Sequence, residues 1–184
     1  PLLHQSLLRR LDVGCGLGSS VLLVLRTNAA ARVHATDISP AAVALTRAVV
    51  ERAGLGDRLT TATADAGGNL GRPEAAEPFD AALLVFTASA VPGEGDAALL
   101  RRVGERLRPG GRVLFRDYGL LDLRHLGDLA AAATAAASTA AGGAPRADAC
   151  VRLTDRTFRR AGGTSRRYYA LEDVARLAEG ADLA

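Results

Sequence analysis

Asp12-Val13-Gly14-Cys15-Gly16-Leu17-Gly18 places a carboxylate two residues ahead of three alternating glycines. Glycine adopts positive φ freely and carries no Cβ, so a loop of this kind lets a ligand press against the backbone. Where the loop opens a helix, its N–H groups point at the ligand. The spacing is G-x-G-x-G and departs from the dinucleotide fingerprint G-x-G-x-x-G. Two more carboxylates, Asp37 and Asp65, each follow a short apolar or β-branched run. A carboxylate in that position accepts hydroxyl or amino donors. Later, Arg116-Asp117-Tyr118 offers a cation, a carboxylate and an aromatic face within three residues. Each acid taken singly also reads as a helix cap or turn residue. A nicotinamide site would account for the glycine loop and Asp37, but for neither Asp12 nor Asp65.

These residues need a scaffold that brings strand ends together, and the hydrophobic pattern supplies one. Strands are predicted over Leu11–Gly14, Arg32–Asp37, Arg58–Thr63, Phe79–Phe86 and Arg112–Asp117, alternating with helices over Ser19–Arg26, Pro40–Ala53 and Glu94–Leu107. Alternation of this kind implies a parallel sheet with helices on both faces. Ser39-Pro40 is an N-cap followed by proline in the first turn, and Gly54 is a C-cap. Pro109-Gly110-Gly111 is expected to stop the third helix. Leu126–Ala141, almost entirely alanine and threonine, has no large apolar face and reads as a surface insertion, partly helical or disordered. Thr157–Arg160 and Ser165–Tyr169 flank Ala161-Gly162-Gly163-Thr164 as a hairpin, and a last helix is predicted over Leu171–Glu179.

The chain has 184 residues, 48% of them hydrophobic but only 4% aromatic, so a single domain must build its core from Leu, Val and Ala. No apolar run is long enough to span a membrane and no signal peptide is present, and Cys15 and Cys150 form neither a metal motif nor a disulfide framework. The expectation is an intracellular, reducing setting, cytoplasmic with organellar or nuclear alternatives, with no metal. Every Lys/Arg position is Arg, which reads as coding bias more than as affinity for nucleic acid. One local excess stands out: seven arginines between Arg146 and Tyr169 face only Asp148 and Asp155, a balance of +5 against +3 for the whole chain. That is either a solvated hairpin or a phosphate-contacting surface.

The glycine loop with its preceding acid resembles the loop that holds S-adenosylmethionine in class I methyltransferases. Leu107-Arg108-Pro109-Gly110-Gly111 is shared with many of them. The continuation Leu114-Phe115-Arg116-Asp117-Tyr118-Gly119-Leu120-Leu121-Asp122 is narrower. With Asp37-Ile38-Ser39-Pro40-Ala41-Ala42-Val43, Leu83–Pro92 and the hairpin Leu153–Tyr169, it resembles the tRNA 3-methylcytidine methyltransferases, over Leu11 to about Leu183 apart from the alanine-rich insertion.

The resemblance implies an α/β, Rossmann-like fold with sheet order 3-2-1-4-5 and an added arginine-rich hairpin. It implies S-adenosyl-L-methionine as cofactor, contacted at Asp12, Gly14, Gly16, Gly18, Asp37, Asp65, Ala66 and Val85. Asp12 would take the ammonium end, Asp37 the ribose hydroxyls and Asp65 the adenine amino group. Arg116, Asp117 and Tyr118 would serve the acceptor, N3 of a cytidine in a tRNA anticodon loop. The partner is then tRNA, with a helper such as an aminoacyl-tRNA synthetase in some relatives. Residues 1–184 form one methyltransferase domain, with 126–149 as the insertion. The start at Pro1 and the lack of sequence for strands six and seven read as truncation at both ends. Thr87-Ala88 and Thr157 depart from the family pattern on the acceptor side. Transfer to a small molecule or protein, or an inactive fragment serving as a binding module, are the alternatives.

Overall fold

The computed structural model describes residues 8–68, 70–71, 77–93, 95–144, 149–160 and 162–183. Five strands form one parallel sheet: β1 (Leu8–Val13), β2 (Ala31–Asp37), β3 (Leu59–Thr63), β4 (Phe79–Val85) and β5 (Leu107–Arg116). Their order is β3-β2-β1-β4-β5, as the family resemblance implies, and all are parallel, as the alternating pattern implies. The chain reverses direction across the sheet between β1 and β4, the switch point outside whose carboxyl ends open α/β sheets bind ligands.

The helices cover this sheet through residues spaced at one turn. In α1 (Ser19–Thr27) Val21 and Leu25 are buried, and in α2 (Pro40–Arg52) Val43, Thr46 and Val50 are. Val21, Leu25 and Val50 form one core cluster with Cys15, Val33 and Ala35. Ser39 caps α2 through its side chain, which accepts the Ala42 N–H, and Pro40 occupies the first helical position. On the other face, α3 (Gly95–Gly104) and α5 (Leu171–Glu179) pack with Leu11, Val13, Ala82, Leu84 and Tyr169. Right-handed crossovers running in opposite directions from β1 and β4 put α1 and α2 on one face and α3 on the other, and α5, which follows the hairpin, packs beside α3.

Three elements differ from the predicted ones. The helix expected over Glu94–Leu107 ends at Gly104, because Leu107 pairs with Phe79 and draws Pro109-Gly110-Gly111 into β5 beside an irregular register between Phe79 and Ala81. Glu94 lies outside the described residues, as does Ala161 of the hairpin turn. The alanine-rich stretch lies in an 18-residue helix, α4 (Leu123–Ala140), which begins three residues before the predicted start. Asp122 caps it by accepting the His125 N–H at 2.7 Å, and alanine propensity sustains a helix whose only buried residue is His125. The hairpin gains a strand: β6 (Val151–Arg152), β7 (Thr157–Arg159) and β8 (Ser165–Arg167) form an antiparallel sheet. The chain after β8 runs beside the extension of β5, where Tyr169 N–H donates to Tyr118 O and Leu120 N–H to Tyr169 O.

Candidate functional site

Asp12 is the penultimate residue of β1 and is 1% exposed. Its Oδ2 has no hydrogen-bond partner among the described residues. Burial, with the Asp37 carboxylate adding to it, pushes its pKa up to about 7. An ionised carboxylate left alone at such depth is costly. The site therefore lacks a cationic or donor group that would make Asp12 comfortable as an anion.

The glycine loop wraps over that carboxylate. The Gly14 and Cys15 N–H groups both donate to Thr36 O, at 2.8 and 2.9 Å, locking the loop to β2. Gly14 has φ +75°, and a Cβ there would lie 2.8 Å from Thr87 Cγ2 and closer still to its Oγ1. Thr87 in turn donates to Val13 O at 2.7 Å. Gly18 has φ +79° and faces the α2 backbone at Thr46 Cα, 3.2 Å from an ideal Cβ. Gly16 is different: nothing lies within 4 Å of its ideal Cβ. Two glycines thus serve packing, and one leaves open space against the backbone.

Asp37, at the carboxyl end of β2, is held by two backbone donors. Gly16 N–H reaches Oδ2 and Ser39 N–H reaches Oδ1, both at 2.9 Å. Each oxygen keeps a lone pair for a further donor, so the carboxylate is oriented and still able to chelate a pair of hydroxyls. Ile38 beside it is 67% exposed, an apolar surface that the sequence reading did not single out. Asp65 closes a turn beyond β3, its Oδ1 accepting Gly67 N–H at 2.8 Å. Ala66 and Gly67 follow, and their carbonyls accept from Arg102 Nη2 at 3.2 and 2.8 Å. Val85 is the last residue of β4 and pairs with Arg116.

The end of β5 forms a second group. Asp117 repeats the arrangement at Asp37: Oδ2 accepts Ser89 N–H at 3.0 Å and Oδ1 accepts Tyr118 N–H at 2.9 Å. Arg116 lays its guanidinium 5.3 Å from the centre of the Phe86 ring, and the Phe86 and Tyr118 ring centres are 4.8 Å apart. Tyr118 is also contacted by the Arg166 guanidinium at 4.4 Å and by the edge of Tyr168. Phe86 has φ +57°, left-handed and unfavourable for a bulky side chain. Strain of that kind costs roughly 1–3 kcal/mol and clusters at functional sites. Sequence reading placed Phe86 in the fourth strand but had no signal for its conformation.

Three of the seven arginines, Arg156, Arg166 and Arg167, are met by acids from other elements, which the local balance of +5 conceals. Arg166 pairs with Asp128 at 3.2 Å and Arg167 with Asp96 at 2.9 Å, while Arg156 and Arg176 both hold Asp173. Tyr168 donates to Asp128 at 2.7 Å and Tyr169 to Asp96 at 3.1 Å. Burial holds both phenols well above the ordinary tyrosine pKa. The Ala170 N–H, with Arg156 and Arg176, holds the Asp173 carboxyl below its ordinary value. Arg146 lies outside the described residues. Among the described residues, Arg159 and Arg160 have no acidic partner within 4 Å.

Residues 11–111 match the model of a family described as a methyltransferase domain. The tRNA N(3)-cytidine methyltransferase METTL2 of Gallus gallus is 34% identical over 121 residues, 64% of this chain and 32% of that protein. The tRNA(Thr) (cytosine(32)-N(3))-methyltransferase of Saccharomyces cerevisiae is 34% identical over 118 residues, 61% of this chain and 18% of that protein. The chain therefore spans a third or less of the length of these relatives. Among solved structures, an O-methyltransferase family 2 protein from Planctomyces limnophilus in complex with apigenin is similar in fold. Its TM-score is 0.65 at 24% identity, over 99% of this chain and 46% of that one.

Proposed function

The chain belongs to the methyltransferase-domain family, and from that premise we propose that it is an S-adenosylmethionine-dependent methyltransferase acting on N3 of a cytidine in a tRNA anticodon loop. One observation carries the cofactor: a buried, unpartnered Asp12 carboxylate beside an Asp37 carboxylate fixed by the Gly16 and Ser39 N–H groups. The first fits the ammonium end of adenosylmethionine and the second its two ribose hydroxyls. Gly16 leaves room for close approach, and Asp65, Ala66 and Val85 would serve the adenine side.

When bound, the cofactor supplies an electrophilic methyl group on a sulfonium centre. The protein's task is then alignment, because neutral cytosine already carries a lone pair at N3 and needs no base to expose it. Asp117, oriented by Ser89 and Tyr118 N–H groups, would accept the exocyclic amino group and stabilise the positive charge that develops on the ring. Arg116 would hold the base carbonyl or a neighbouring phosphate. A base in an anticodon loop is already single-stranded, so presenting it costs less than extrusion from a duplex. The cytidine acceptor rests on the resemblance at Arg116-Asp117-Tyr118-Gly119 and on the two tRNA-modifying relatives.

Two measurements test this. Titration calorimetry with adenosylmethionine should give saturable binding that Asp37→Ala removes, and absence of binding overturns the cofactor. Methylation of total tRNA followed by nucleoside mass spectrometry should yield 3-methylcytidine. A different methylated nucleoside, or none, overturns the acceptor while leaving the cofactor in place.

A further inference from the structure

Between the glycine loop and the end of β5 stands a partly exposed aromatic ring, Phe86, and we propose that Phe86 is the surface on which the acceptor ring stacks. This rests on the methyl-transfer reading and specifies the side chain that selects a planar acceptor. Phe86 is fixed from two sides. Its N–H donates to Arg116 O at 2.8 Å, and the next residue, Thr87, packs against Gly14 and bonds to Val13 O. It therefore stands between the glycine loop and the end of β5.

Its left-handed backbone, φ +57°, turns the ring out of the sheet. Ala81 to Leu84 in β4 are buried, yet Phe86, just past the strand's end, is 42% exposed. The Arg116 guanidinium and the Tyr118 ring brace it at 5.3 and 4.8 Å. Tyr118 fits the platform role less well, because Arg166, Tyr168 and Phe86 already contact its ring. An exposed, braced aromatic beside a guanidinium suits an unstacked nucleobase, which binds by π-stacking whatever its edge chemistry.

The chain contains no tryptophan, so Phe86→Trp installs a single fluorescent reporter at the platform. With labelled adenosylmethionine and total tRNA, Phe86→Leu is expected to raise KM for tRNA roughly 10- to 100-fold. Phe86→Tyr restores KM to within about threefold, as stacking but not mere packing predicts. The calorimetric Kd for adenosylmethionine stays within about twofold of wild type in both variants, which also reports that they fold. An unchanged KM in Phe86→Leu, in a protein that methylates tRNA, overturns the platform and leaves tRNA methylation standing. If the wild-type chain methylates no tRNA, the acceptor reading fails separately, and Phe86→Trp then decides the platform. Saturable quenching by cytidine, adenosine or uridine monophosphate supports it, and no quenching by any of the three overturns it.

Discussion

The carboxyl ends of β1 and β2 and the region joining β5, α4 and the hairpin both bury charged groups, but they treat them in opposite ways. On the cofactor side Asp12, 1% exposed, leaves its Oδ2 without a hydrogen-bond partner among the described residues, and the space an added Cβ would fill at Gly16 is empty. On the hairpin side nearly every buried charge is answered. Arg166 meets Asp128 and Tyr168, Arg167 meets Asp96, and Asp173 meets Arg156, Arg176 and the Ala170 N–H. His125 Nε2, buried against Tyr168 and Phe158, is the unanswered atom on this side among the described residues, but the charged groups there are paired, whereas the Asp12 carboxylate is a charge left for a ligand. Three of the seven arginines that look like a nucleic-acid surface in the sequence, Arg156, Arg166 and Arg167, instead dock the hairpin. The carboxylate that spacing marks ahead of the glycine loop, Asp12, is the one held in reserve.

The sharpest way to break this contrast is Asp12→Asn. The Asp12 pKa is raised to about 7 in the folded chain, against roughly 3.9 when unfolded. The folded state therefore binds a proton that the unfolded state has lost between these values. Stability without cofactor falls as pH rises from about 4 to about 7, by roughly 4 kcal/mol in all. Asp12→Asn should recover much of that at pH 8 and little at pH 4, read as a Tm difference that opens with pH. The same variant should weaken adenosylmethionine binding about 100-fold, because a charge-assisted bond is lost. In the wild type, affinity should rise with pH up to about 7. A Tm unchanged at pH 8 would place Asp12 among the satisfied residues.

Next in size is Asp128→Ala. It leaves Arg166, 7% exposed at the side chain, as a buried charge whose ion-pair partner is gone, and should cost about 3 kcal/mol in urea unfolding. Calorimetric affinity for adenosylmethionine should stay within about twofold. Loss of that affinity would join the two regions into one unit. Gly14→Ala should cost about 2 kcal/mol, since it adds both the left-handed strain and the contact with Thr87. Gly16→Ala, strained at φ +52° but unobstructed, should cost about 1 kcal/mol. Its larger effect should be on cofactor Kd. The smallest effect is expected for Arg152→Ala, whose pair with Asp155 is exposed, with stability within about 0.5 kcal/mol of wild type.

Much of the fold is legible in local pattern. The three helices that precede β5 and the five strands follow from apolar runs, caps and glycines that act within one turn or one strand, whereas the order 3-2-1-4-5 comes from the family resemblance. The boundaries fail where distant partners intervene. Leu107 becomes strand because Phe79 lies 28 residues away in sequence and beside it in the sheet. The alanine-rich helix starts early because Asp122 caps it and His125 is buried against Tyr168 and Phe158. The site divides in the same way. Residue type and spacing mark Asp12, the glycines, Asp37, Asp65 and Arg116-Asp117-Tyr118 as candidates, but a carboxylate's type does not reveal its partners.

The sequence by itself determined the parallel sheet, the position of its glycine loop and the acids at its strand ends, because these depend on side-chain periodicity and backbone freedom. Only the tertiary structure decided which charges are met. Arg167 finds Asp96, Arg166 finds Asp128, Phe86 turns outward, and Asp12 Oδ2 finds no partner among the described residues. Pairing and burial arise from contacts between segments far apart in the chain, and no local spacing encodes them.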